Sequence, residues 1–161
     1  KHFPIGPVIS EAHRDKVEGY LALAVEEGGE ILTGGTRGPG TGFHLTPAVI
    51  AGLSPTSRCA TEEIFGPVVT VHPFETEEEA LAIANGTEYG LAGSVWTGDA
   101  ERGRRFAAHM DTGMVWVNTW LHRDLRVPFG GVKHSGVGRE GGEWSLGFFS
   151  EAVNICVADD A

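Results

Sequence analysis

The sequence predicts an α/β protein with a parallel sheet. From Val68 onward, short apolar runs alternate with helical stretches: "VVTVHPF", "TEEEALAIANG", "GLAGSVW", "DAERGRRFAAHM", "MVWVN". Two strand–helix–strand units in succession require right-handed crossovers between parallel strands. The chain also holds 24 glycines among 161 residues. That is about twice the average share and fits frequent turns and close backbone approaches.

The elements follow in order. Ser10 is placed to cap a helix over residues 11–27, where Val17, Tyr20, Leu21, Ala24 and Val25 recur at helical spacing and Gly28-Gly29 stop it. "EILTGG" reads as a short strand, "TRGPGTG" as a loop and "FHLTPAVI" as a second strand. "SRCATEE" alternates in the manner of a strand, with Cys59 buried. After the strand from Val68, a Thr76–Glu79 capping box opens a helix that Gly86 ends. Asp99 caps the next helix. The stretch from Asn118 to about Gly138 follows the carboxyl end of "MVWVN". It is too long for a mere connector, and ligands of parallel sheets meet loops at that end of the strands. "REGGEWSLGFFSEA" suggests a short helix, and "VNICV" a last strand.

Bulk properties narrow the function. Hydrophobic residues make up 41% and charged residues 21%, the balance of a soluble globular domain. A net charge of −10 opposes nucleic acid and anionic membranes as partners. There is no apolar run of about 18 residues and no leader-like start. Cys59 and Cys156 stand far apart, which suits a reducing compartment better than a disulfide framework. A cytoplasmic protein is expected, in which the sequon Asn85-Gly86-Thr87 stays unused.

Several patterns are candidates for chemistry. Residues Gly136 to Gly141 match G-x-G-x-x-G, but no apolar strand leads into them, so a dinucleotide fingerprint is not expected there. No histidine stands at metal-ligand spacing, and no metal is expected. Cys59 and Cys156 both read as small strand residues rather than nucleophiles. Arg123 and Arg126 flank Asp124. They either tie the loop by local ion pairs or recognise a substrate carboxylate with the guanidinium fork. Trp120 and Phe129 could line an apolar passage near them, whereas Trp116 reads as core.

"EEIFGPVV", "YGLAGSVWT", "GMVWVN" and "PFGGVKHSGVGREGG", in this order, resemble the C-terminal part of the aldehyde dehydrogenase superfamily. "IGPVIS" and "FFSEAVNICV" extend the resemblance over nearly the whole chain. Within the superfamily, "ISEAHRDKV", "NTWLHRDLRVPFGG" and "GREGGEWSLGFFSE" are most similar to the 2-hydroxymuconic and 2-aminomuconic semialdehyde dehydrogenases.

The resemblance implies an α/β parallel-sheet catalytic domain of aldehyde dehydrogenase type, in part, over residues 1–138. Residues 139–161 would form a short helix and an oligomerisation strand, and the full protein a homodimer or homotetramer. It implies NAD as cofactor; the choice against NADP is made upstream, near the adenosine ribose. Glu63 would hold the hydroxyls of the nicotinamide ribose, since one carboxylate can accept from a vicinal diol. Phe65 would lie against the nicotinamide ring. Asn118 would begin the substrate wall, Phe129 would stand near the reacting aldehyde, and Arg123, ahead of Arg126, would meet a substrate carboxylate. The implied reaction oxidises a small-molecule semialdehyde of aromatic catabolism through a Cys thioester, hydrolysed by water that a Glu activates. That Cys and Glu match positions upstream of Lys1, so residues 1–161 alone are expected to be inactive. Two other readings remain at this stage: a truncated, non-catalytic paralogue that pairs with a full enzyme, and a small domain binding an acidic metabolite.

Overall fold

A computed structural model describes residues 5–158; the outer ends of the two expected segments, residues 1–4 and 159–161, lie outside the described residues. The chain divides into two compact units, the first running to Thr87 and the second beginning at Glu88.

In the first unit, α1 (Glu11–Glu26) starts where expected: the Ser10 side chain accepts from the His13 N–H at 3.1 Å. Arg14, Val17, Leu21 and Ala24 form its buried face, whereas Val25, counted on the apolar face, is exposed. β1 (Glu30–Thr33) pairs antiparallel with β2 (Ala48–Ala51), and β2 pairs parallel with β3 (Val68–Val71). The strand expected over "FHLTPAVI" is shorter than predicted. Pro47 has no N–H to donate, and the ladder begins at Ala48, whose N–H reaches Pro67 O at 2.8 Å. Gly34 sits at φ 73 with a Cβ position 1.6 Å from Pro47 O, a crossing only glycine allows. Leu21, Ala24, Ala48, Ile50, Leu53 and Cys59 form the core of this unit, beside Val17, Leu45 and Ile64.

The "SRCATEE" segment corrects the strand reading. It forms a single-turn helix, α2 (Arg58–Thr61). The Glu27 carboxylate accepts from the N–H groups of Arg58 (2.9 Å) and Cys59 (3.2 Å), satisfying donors that a helix start leaves open. α3 (Glu77–Asn85) is capped by Thr76 and stopped at Gly86. The capping box is shifted by one residue: Thr76 accepts from the Glu79 N–H, but the Glu79 carboxylate accepts from the Glu75 N–H at 2.7 Å.

In the second unit, β4 (Tyr89–Gly90) leads into β5 (Ala92–Val95), followed by α4 (Ala100–Ala108) and β6 (Met114–Val117). β5 and β6 are parallel in register Ala92↔Met114 to Val95↔Val117, and α4 packs on both. Gly103 allows that packing, since a Cβ there would lie 2.6 Å from Val117 Cγ1. β7 (Val132–Lys133) pairs antiparallel with β4, and α5 (Gly142–Phe149) follows. The hydrogen-bonded strands thus form small separate sheets rather than one continuous parallel ladder. The expected last strand, Val153–Val157, is exposed and without strand pairing among the described residues. A strand exists only beside a hydrogen-bonding neighbour, and none pairs with this segment among the described residues.

Candidate functional site

The acid pair of "EEIFGP" is divided between two tasks. Glu62 turns inward. Its carboxylate accepts from Tyr20 Oη at 2.7 Å and from Arg58 Nε and Nη2 at 2.7 and 3.0 Å. The Arg58 guanidinium, and then Tyr20, hold it below the usual carboxylate range. Glu63 is exposed, and its carboxylate has no partner among the described residues. Only its main-chain carbonyl is engaged, accepting from Lys16 Nζ at 3.3 Å.

Phe65 stands beside it at φ 56 with 69% of its surface exposed. A non-glycine residue in this region costs on the order of 1 kcal/mol or more, so something must hold it. His13 Nε2 donates to its carbonyl at 2.5 Å, and the His13 and Phe65 rings stack at 5.7 Å, inclined by 27°. Gly66 follows with Val17 Cγ2 only 2.6 Å from its Cβ position, which turns the chain close over α1 toward β3.

Cys59 is 3% exposed. Burial first, then the Glu27 carboxylate, pushes its thiol up to about 11, and Sγ donates to Tyr20 O at 3.4 Å. Such a thiol is inert at neutral pH. Alkylation under native conditions is expected to leave Cys59 unmodified until the protein is denatured; mass spectrometry of the labelled peptides checks this.

In the second unit, Asn118 starts the loop at φ 54. Its N–H donates to Val95 O, its Oδ1 accepts from the Thr97 N–H and its Nδ2 donates to Thr97 O, all at 2.8 Å. The amide expected at a substrate wall is therefore spent on the main chain and orients the loop. Trp116 is 7% exposed, as expected for core, and donates from Nε1 to His122 O at 2.8 Å. Its ring meets that of Trp120 at 4.9 Å and 61°.

The two arginines part company. Arg126 is closed onto Asp124 through Nε and Nη2 at 2.9 and 2.5 Å, and its own N–H binds the same carboxylate at 2.9 Å. These bonds hold Asp124 below the usual carboxylate range. Arg123 lies instead over the Phe129 ring, 4.6 Å from its centroid, a cation–π contact. Its one ionic neighbour among the described residues is Glu140 at 3.7 Å, with both side chains about half exposed. Phe129 and Glu140 exchange main-chain hydrogen bonds at 2.7 and 2.8 Å and line one cleft of about 330 Å³. The structure brings Arg123 and Phe129 together and separates Arg126 from them in task. Glu140 and His13 are site neighbours that the residue patterns did not reveal, because both act across long sequence distances.

The chain combines this α/β connectivity with a bent acidic lead-in to β3 and a long loop after β6. It belongs to the aldehyde dehydrogenase family, whose family model matches residues 1–155. It is 49% identical over 97% of its length to a 2-aminomuconic 6-semialdehyde dehydrogenase of Pseudomonas sp., covering 33% of that protein. It is 47% identical over 94% of its length to a 2-hydroxymuconic semialdehyde dehydrogenase of Pseudomonas sp. strain CF600, covering 32% of it. The chain thus spans about a third of the length of these relatives. Among solved structures, an aldehyde dehydrogenase of Mycobacterium tuberculosis complexed with NAD+ superposes with a TM-score of 0.87 at 46% identity, over 91% of this chain and 31% of that one. No helix of the described residues is long and apolar enough to cross a membrane.

Proposed function

We propose that the chain is part of an NAD-dependent aldehyde dehydrogenase whose substrate is a carboxylate-bearing semialdehyde of the 2-hydroxymuconic type. The observation that carries the substrate class is the division of the arginines. Arg126 is consumed by Asp124, whereas Arg123 keeps a half-exposed guanidinium on the Phe129 face. A planar fork held on an aromatic wall suits a carboxylate, and the relatives named for muconic semialdehydes support that choice.

Glu63 and Phe65 would hold the nicotinamide end of NAD. The donor set fits: an unpartnered carboxylate offers its oxygens to neighbouring hydroxyls, and an exposed ring offers a face to a flat heterocycle. NAD supplies the hydride acceptor. The nucleophile and the general base are assigned to the remainder of the protein, as the resemblance implies; Cys59 is buried and its thiol raised. Asn118 serves by orienting the loop, and residues 139–161 serve assembly into a homodimer or homotetramer in the cytoplasm.

The test uses two aldehydes of equal chain length, one ending in a carboxylate and one in its methyl ester, with the full protein that carries this sequence. The carboxylate should have the higher kcat/KM by about ten- to a hundredfold, the worth of a charge-assisted contact. Equal values overturn the substrate class. Absence of NAD reduction with either overturns the reading as a whole.

A further inference from the structure

We infer that His13 is a positioning residue for the cofactor site: it fixes Phe65 so that the ring meets the nicotinamide in one pose. This rests on the assignment of Phe65 to NAD. Two features of Phe65 call for an external restraint. Its backbone is in the left-handed region at φ 56, and its side chain is 69% exposed, so its own packing does little to hold it.

The restraint comes from α1, whose buried face of Val17, Leu21 and Ala24 seats it in the core. His13 and Lys16 lie three residues apart, on one face of that helix. His13 Nε2 donates to the carbonyl of Phe65 at 2.5 Å and Lys16 Nζ to the carbonyl of Glu63 at 3.3 Å. Both donors therefore take main-chain oxygens and leave the Glu63 carboxylate and one face of the Phe65 ring to a ligand. His13 does more than Lys16, because its ring also stacks on the Phe65 ring at 5.7 Å and 27°. Its own backbone is fixed by the Ser10 cap at 3.1 Å. A single side chain thus restrains both the strained peptide and the aromatic plane that follows from it.

The experiment titrates NAD and ADP into the full protein by calorimetry. ADP lacks the nicotinamide riboside, so the ratio of the two Kd values isolates that end of the cofactor. His13→Ala should raise the Kd for NAD about tenfold, as expected for one lost hydrogen bond and released strain, and leave that for ADP unchanged. His13→Gln keeps an N–H donor and should stay within about threefold of the native ratio. An unchanged ratio in His13→Ala, or an equal loss for both ligands, overturns the proposal. Phe65→Ala separates the two levels. If it raises the ratio while His13→Ala does not, only the role of His13 falls. If it too leaves the ratio unchanged, the assignment of Phe65 to NAD falls with it.

Discussion

Replacing Arg123 by alanine lowers kcat/KM for a carboxylate-bearing aldehyde by about a hundredfold, while an uncharged aldehyde of the same length changes by less than about threefold. The asymmetry is the point. Arg123 touches Phe129 and stands 3.7 Å from Glu140, and neither contact is a buried support whose removal would collapse the loop. An exposed ion pair of this kind is worth less than about 1 kcal/mol, so the loss should follow the charge on the substrate. Arg123→Lys should recover only part of the activity, because a point charge lacks the fork and stacks less well. Arg126→Ala should leave the ratio of the two aldehydes near its native value, since Arg126 already spends its fork on Asp124. Steady-state kinetics on the full protein decide the matter. An equal fall for both aldehydes in Arg123→Ala would make the residue a loop support and remove it from substrate recognition.

The second large effect is expected at Glu63. Glu63→Ala should raise the Kd for NAD by about ten- to a hundredfold, the range for lost hydrogen bonds to a charged acceptor. Glu62→Ala, one residue away, should leave NAD binding near its native value and instead lower the thermal midpoint. The reason is visible in the partners: Glu62 is bound by Tyr20 and Arg58, while the Glu63 carboxylate has no partner among the described residues. Direct titration of NAD into both variants, with a melting curve of each, separates the two tasks. Reversal of the two outcomes would place the ribose contact at Glu62.

Much of this was legible in the sequence because its causes are local. The Ser10, Thr76 and Asp99 caps and the Gly86 stop act within a turn of their helices. The β5–α4–β6 unit follows from its apolar periodicity. What the sequence hid has causes that lie far off along the chain. "SRCATEE" became a helix because Glu27, more than 30 residues earlier, caps it; its alternation of apolar and polar residues carried no sign of that. Residue type alone does not tell the adjacent acids of "EEIFGP" apart; the resemblance singles out Glu63 for the ribose, and in the structure Tyr20 and Arg58 claim Glu62. Arg123 and Arg126 likewise differ only through Phe129, Glu140 and Asp124. The resemblance puts Asn118 at the start of the substrate wall, but the left-handed backbone there turns the amide back onto Thr97.

The indole pair of the second unit has an optical consequence. Trp116 is rooted in β6, while Trp120 rides on the loop that also bears Arg123, and their rings lie 4.9 Å apart at 61°. Two chromophores this close and so inclined share their excited states and absorb as one chiral unit. The sign and size of their circular dichroism couplet then depend on the angle between them. The loop therefore carries its own spectroscopic gauge, which reads displacement near Arg123 without any added label.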